Sequence, residues 1–348
     1  MENLFDKIIS YENLFLAWKE FRSGKRKKED VQLFERNLAD NLYELHLALK
    51  NKTYRHGHYS SFYINDPKLR NIQKAEVVDR ILHHAIYRIL YPIFDRTFCF
   101  DSYSCRLGKG THKAVRKLDS FIRKISKNYS WECFALKCDV KKFFASVDHE
   151  ILLEMIERKI KDRNVLRLLG EILASFPLDS PAARIERERE SFCLRQKPLF
   201  SQTEIPIGNL TSQLFANIYL NELDKFIKHQ LHLKYYVRYC DDFVILSRSY
   251  SEFNNLIPQI QNFLGSRLKL RLHENKVLIR RPRQGIDFLG YVILPNCIVL
   301  RTKMRKRMIK KVNVDNLASY SGILKHCKGY ELEKKIVVLA DLSEKVPK

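Results

Sequence analysis

The chain has 348 residues, 45% of them hydrophobic and 30% charged, which excludes a disordered chain and leaves core for two or three domains or subdomains. Lys and Arg number 63 against 40 Asp and Glu, so the formal charge is +23. Like charges in that excess oppose compaction, which points to a polyanionic partner, nucleic acid ahead of an anionic membrane surface. No apolar run approaches the roughly 20 residues of a spanning helix, and Met1 to Ser10 carries Glu2 and Asp6 rather than a basic start before an apolar stretch. The eight cysteines contain no CxxC pair. The expected setting is soluble, reduced and cytoplasmic, with no membrane, no zinc site and no disulfide scaffold.

Residues 1–50 read as helical: Leu14, Trp18 and Phe21 share a face, and Leu33, Leu38, Leu42, Leu45 and Leu49 continue it after a basic break at 24–28. Tyr54 to Ile64 is strand-like and ends at the turn signal Asn65-Asp66-Pro67. Glu76 to Tyr91 predicts an amphipathic helix that Pro92 ends. Trp131 to Asp139 has the texture of a buried strand, and Asp148 is the expected N-cap of a helix over His149 to Lys161. Residues 175–204, with Pro177, Pro181 and the charged run 184–190, predict a long loop or insertion. Thr211 to His229 predicts a helix whose stripe Leu214, Phe215, Ile218, Leu223 and Ile227 is core. From Arg301 the tail predicts a basic helix, with no acid before Lys311.

The chemistry concentrates in Tyr235 to Leu246, YYVRYCDDFVIL. Two β-prone apolar runs flank Cys240-Asp241-Asp242, which predicts a hairpin with adjacent carboxylates at its turn. An ordinary polar turn has the same composition, but paired acids between apolar strands are costly unless a cation compensates them. Asp139 ends the strand FALKCD; paired beside the hairpin, it would face Asp241 at one sheet edge. Two-metal nucleotidyl transfer needs shared carboxylates of this kind, and hard oxygen donors favour Mg²⁺.

These segments resemble the ordered motifs of reverse transcriptases over residues 54–291. Asp139 matches the first palm aspartate and Tyr239-Cys240-Asp241-Asp242 the YxDD box, which implies catalytic Asp139, Asp241 and Asp242 and a metal-holding set of Asp139, Val140, Asp241 and Asp242. Leu268 to Ile279 resembles the following palm motif, in which Lys276 would donate a proton to the leaving pyrophosphate; a phosphate contact or plain surface exposure is the alternative. Gly285 to Tyr291 resembles the primer grip. Asp101 to Thr111 resembles the fingers motif, with Arg106 clamping the triphosphate. Arg70, in DPKLR, would be a second phosphate contact or else a surface ion pair. Phe144 aligns with the aromatic gate that excludes a ribose 2′-hydroxyl; Phe143 beside it reads as core.

Ile205 to Gln213 departs from the family pattern, with Ile207-Gly208 where a Gln-Gly pair is usual and Gln213 where the motif ends in proline. That departure resembles the reverse transcriptases of diversity-generating retroelements, which copy a template-repeat RNA while misreading adenine. Ile207, Gly208 and Gln213 then belong to the nucleotide pocket, and the lost amide loosens the check on base pairing. The alternatives are a retron, abortive-infection or group II intron-derived enzyme of ordinary fidelity, or a non-catalytic RNA-binding protein with the same fold. With 57 residues after Tyr291, a short thumb is expected and a maturase domain plus endonuclease is not. The resemblance therefore implies an α+β right-hand polymerase with an antiparallel palm sheet, α/β fingers and a short helical thumb. Its boundaries are a helical extension over 1–50, fingers and palm over 51–290 and a basic thumb over 291–348. It implies two Mg²⁺ ions, with Mn²⁺ able to substitute, and as partners an RNA template, a DNA or RNA primer and deoxynucleoside triphosphates. A small basic accessory protein is the further partner, with 184–190 as a candidate contact.

Overall fold

The N-terminal stripe folds into α1 (Leu4–Ile9), α2 (Tyr11–Arg22), α3 (Glu29–Arg36) and α4 (Leu38–Lys50) in a computed structural model that describes residues 3–65, 69–175 and 203–344. Ser10 caps α2 by accepting from Asn13 N at 3.2 Å, and Leu14, Trp18 and Phe21 are buried. A hairpin of β1 (Ser60–Asn65) and β2 (Leu69–Lys74) follows, starting later than the aromatic pattern suggested because the backbone over 54–59 is not paired as a strand. Helix α5 (Val77–Asp95) corrects the expectation that Pro92 ends it. A proline this close to a C-terminus removes one intrahelical bond, while buried Phe94 and a 3.0 Å bond from Tyr91 Oη to Asp95 Oδ1 hold the last turn.

The remaining elements are α6 (Thr111–Ile125), β3 (Phe134–Asp139), α7 (His149–Glu157), α8 (Arg163–Ala174), α9 (Leu210–Lys225), β4 (Tyr236–Tyr239), β5 (Asp242–Ser247) and α10 (Glu252–Leu268). Short strands β6 (Leu278–Arg280), β7 (Ile286–Phe288), β8 (Tyr291–Ile293) and β9 (Ile298–Leu300) lead to α11 (Thr302–Lys311), α12 (Val314–Leu324) and α13 (Tyr330–Glu344). Asp148 caps α7 as expected, accepting from Ile151 N at 3.1 Å. Most of 175–204, including 184–190, lies outside the described residues.

Two compact units emerge. One comprises Met1–Phe98, Lys142–Leu223 and Phe263–Leu270, the other Cys99–Lys141, Asp224–Asn262 and Arg271–Lys348. Each gathers segments from both sides of residue 142, so packing follows a different division from the linear boundaries read in the sequence. The second unit holds an antiparallel four-stranded sheet in the order β4-β5-β3-β6 and a three-stranded sheet β7-β8-β9. One apolar core joins them: Val115 and Leu118 of α6, Val237 and Val244 of the larger sheet, Phe288 and Ile293 of the smaller, and Met308, Leu324 and Ile336 of the last three helices. The segment expected to be helical from 291 thus begins with β8 and β9, whose apolar residues complete this core, and becomes helical at Thr302. Among the described residues no helix is long and apolar enough to cross a membrane.

Candidate active site

β3 is buried along most of its length and pairs with β5 so that Asp139 lies opposite Asp242; β4 and β5 form the expected hairpin, with Tyr239 opposite Asp242. Cys240 takes a positive φ of 54°, which tightens the turn and places Asp241 between the strands. Val140 N donates to Asp241 O at 3.2 Å, tying β3's end to the turn. Three carboxylates therefore meet at one sheet end. Burial, reinforced by the charge of Asp139, raises the pKa of Asp241. Burial pushes Asp242 up to about 6 against the pull of Lys137, with Asp139 and Asp241 adding to the rise. Lys276 Nζ donates to Asp139 Oδ1 at 2.6 Å, and His273 N to Asp139 O at 2.8 Å, so the segment before β6 wraps the first acid.

An unexpected side chain braces the turn. Arg238, 1% exposed, forms two 2.6 Å bonds to the carboxylate of Asp224, which also accepts from Tyr236 Oη at 2.6 Å. Its Nη1 donates to Cys240 O at 3.1 Å. The same residue accepts from Tyr103 N and donates its own N–H to Asp101 O, at 2.9 and 3.0 Å, so the turn is fixed to the loop after residue 99. The donor set of Asp139, Asp241 and Asp242 is all hard oxygen, close together and partly protonation-prone, which suits a divalent cation such as Mg²⁺. As the side chains stand, no three His, Cys, Asp or Glu among the described residues converge on one metal position, and Asp139 is engaged by Lys276.

Residues 64–293 match the family described as reverse transcriptase (RNA-dependent DNA polymerase). The chain belongs to this reverse transcriptase family. It is 26% identical over 311 residues to the group II intron-encoded protein LtrA of Lactococcus lactis subsp. cremoris, covering 71% of this chain and 48% of that one. It is 24% identical over 261 residues to protein YkfC of Escherichia coli K12, covering 65% and 64%, and 24% identical over 342 residues to nuclear intron maturase 1, mitochondrial, of Arabidopsis thaliana, covering 75% and 47%. The chain spans about half the length of the first curated relatives it matches.

The other expected reverse transcriptase residues are placed as follows. Arg106 sits in the loop before α6, where its Nη1 donates to Cys99 O at 2.7 Å and Ser102 O at 3.1 Å; here the guanidinium shapes its own loop. Phe143 is buried core, and half-buried Phe144 meets it edge-on with ring centroids 5.3 Å apart. Ile207 is 37% exposed, and Gln73 N of β2 donates to its carbonyl at 3.3 Å. Gly208 has φ +131°, and a Cβ there would meet Gln73 O at 3.1 Å, so glycine is required. Gln213 is half-buried on the first turn of α9. Arg70 is opposite Ile64 in the β1–β2 hairpin, and its side chain lies outside the described residues.

The loop carrying Ile207 is also held by a network that the sequence did not reveal. His56 Nδ1 donates to Gly57 O at 2.8 Å and lies 3.7 Å from the buried Asp79 carboxylate. His83 bridges this ring to the loop: its Nε2 lies 3.2 Å from His56 Nε2 and its Nδ1 2.8 Å from the Thr211 hydroxyl. Asn209 Nδ2 donates to Tyr59 Oη at 3.0 Å, and Tyr59 Oη reaches His56 Nε2 at 3.2 Å. Burial, with the neighbouring His56 adding to it, holds the pKa of His83 well below its usual range, which keeps that ring neutral. The signal available in sequence was the pair of histidines, with nothing to say that they meet.

Proposed function

We propose that the protein is an RNA-directed DNA polymerase that adds deoxynucleotides to a primer on an RNA template. The observation that carries this reading is the cross-strand pair Asp139 and Asp242 with Asp241 in the intervening turn, inside a segment of the reverse transcriptase family. Asp139, Asp241 and Asp242, with the backbone at Val140, would hold divalent cations, whose chemistry is to activate the primer 3′-oxygen and stabilise the leaving pyrophosphate. The chain's own groups do the rest. Lys276, which donates to Asp139, would give its proton to pyrophosphate; Arg106 and Arg70 would contact the triphosphate, and Phe144 would crowd a 2′-hydroxyl. The test is primer extension on RNA with Mg²⁺. Asp241→Asn should abolish extension while RNA binding persists, since the change removes a charge from the acid cluster and none from the basic surface. Extension by that variant at normal Mg²⁺ would sink the assignment.

Within that activity we read a diversity-generating retroelement enzyme, making cDNA from a template-repeat RNA with errors at adenine. The support is Ile207: more than a third exposed, backbone-anchored to β2 beside an obligatory glycine, it presents an apolar side chain where family members carry an amide. Ile207→Gln should lower misincorporation opposite template adenine more than opposite cytosine or guanine. A tenfold gain needs only about 1.4 kcal/mol. The names of the relatives, an intron-encoded protein and an intron maturase, favour a second reading, a group II-like enzyme of ordinary fidelity. Sequencing cDNA from the parent decides: equal accuracy at all four bases establishes the second.

A further inference from the structure

The strands that carry the acids have a different chemistry at their other end. β3 runs from Phe134 to Asp139, and Phe134 pairs with Ser247, the last residue of β5. Five residues at roughly 3.3 Å each put this end about 17 Å from the carboxylates. Three chain segments converge there: residues 127–132 leading into β3, 248–250 leaving β5, and Arg281 just after β6, whose Arg280 pairs with Ala135.

Rings and cations interleave in these segments. Lys127 Nζ lies 3.6 Å and Arg248 Cζ 4.0 Å from the centroid of Trp131. Arg248 Nε donates to Ile125 O at 3.1 Å, which fixes its guanidinium plane. Arg281 Cζ is 5.6 Å from the Phe134 ring, and Tyr250 meets that ring edge-on, also at 5.6 Å. Trp131 is 41% and Tyr250 52% exposed, and all three cations are exposed. One carboxylate is paired into the group, Glu132 at 3.1 Å from Arg281. Solvated cation–π contacts are individually weak, too weak to account for gathering three like charges around open rings. A polyanion with flat bases compensates the charge and uses the rings.

We propose that this end of the sheet is a second RNA-binding surface, separate from the acids, which takes single-stranded RNA. Lys127, Arg248 and Arg281 meet phosphates, while bases stack on Tyr250 and on the fixed guanidinium of Arg248. A protein partner is the other class of occupant, and it would leave RNA affinity untouched by changes here.

The test is fluorescence anisotropy of labelled single-stranded RNA with the full chain over a salt series. Lys127→Gln/Arg248→Gln removes two phosphate contacts, so the logarithmic salt slope should fall by about 1.4 and affinity at 0.1 M salt by roughly 25-fold. Tyr250→Ser, which touches no charge, should weaken binding with the slope unchanged, and Arg248→Lys should keep the slope. Melting temperatures should fall by no more than a few degrees, for the lost contacts to Trp131 and Ile125 O, and extension of a short pre-annealed primer–template at saturating concentration should be unaffected. Unchanged RNA affinity in the double variant overturns the proposal, whether or not a protein partner is lost. An equal loss of extension also overturns it, because the residues would then belong to the catalytic groove. A parent that binds RNA but never extends would instead refute the polymerase reading and leave this surface standing.

Discussion

Arg238 offers a way to separate holding the fold from aiming the acids. Its guanidinium and the Asp224 carboxylate are 1% and 0% exposed and joined at 2.6 Å, so Arg238→Met strands a buried carboxylate whose remaining donor among the described residues is Tyr236 Oη. Breaking a buried pair from one side costs about 3–5 kcal/mol. The variant also removes the charged donor from Cys240 O, a bond of the kind contributing about 1.5–3 kcal/mol to the conformation it holds. Replacing the whole group, in Asp224→Leu/Tyr236→Phe/Arg238→Met, leaves no buried charge or orphaned hydroxyl and should recover most of the stability. It cannot recover the donor to the turn. Urea unfolding should therefore show loss in the single variant and return in the triple. Single-turnover primer extension should stay slow, by tenfold or more, in both. A single variant that loses under about 1 kcal/mol, or a triple variant that regains the parent rate, would refute the brace.

Asp242 has a raised pKa of about 6, so its ionised form disfavours the metal-free fold above that pH, and the penalty disappears as pH falls toward the unfolded value. Asp242→Asn should thus be inactive yet more stable than the parent at pH 7.5, by about 1–3 kcal/mol, with the advantage gone near pH 4; a less stable variant at pH 7.5 refutes the burial argument. Lys276→Leu should slow single-turnover incorporation while leaving template affinity nearly unchanged, and an unaltered rate would make its bond to Asp139 merely structural. His83 is depressed well below the ordinary histidine range, so the unfolded chain takes up its proton first and stability falls as pH drops below about 6.5, by up to about 1.4 kcal/mol per pH unit. Because Asp242 works in the opposite sense over part of that window, the measurement is the difference in pH slope between the parent and His83→Gln, and equal slopes would contradict a neutral buried His83.

Much of the candidate site's geometry was readable because its signals are local. The run of β-prone residues on either side of Cys240-Asp241-Asp242 dictates a hairpin, and a carboxylate at the end of FALKCD can reach it only as the neighbouring strand, which is the pairing found. Lys276 could be placed by resemblance and is found on Asp139. Pro92 misled because the rule concerns helix interiors, and this proline is three residues from an end with its own side-chain closure. The smaller sheet was missed because strands of three residues carry too little alternation to register. Arg238 and Asp224 were missed for another reason: 14 residues separate them, and local pattern does not single out one arginine or one aspartate as a buried pair. His56 and His83, 27 residues apart, escaped in the same way.

The arrangement also bears on how so basic a chain can present carboxylates to RNA at all. Three acids at one sheet end would repel a polyanion, yet Lys276 lies on Asp139 and the charge of Lys137 acts on Asp242, so cations already offset part of the negative charge there. Burial and mutual repulsion raise the affinity of Asp241 and Asp242 for protons, and the same forces favour any other cation able to replace a proton. At the far end of the same strands Lys127, Arg248 and Arg281 stand open beside aromatic rings. A six-residue strand thus separates a pole that demands cations from one that supplies them. On the proposed reading, RNA would be drawn electrostatically to the positive pole without neutralising the acids, which would keep the carboxylates available to the ions and nucleotide of the reaction.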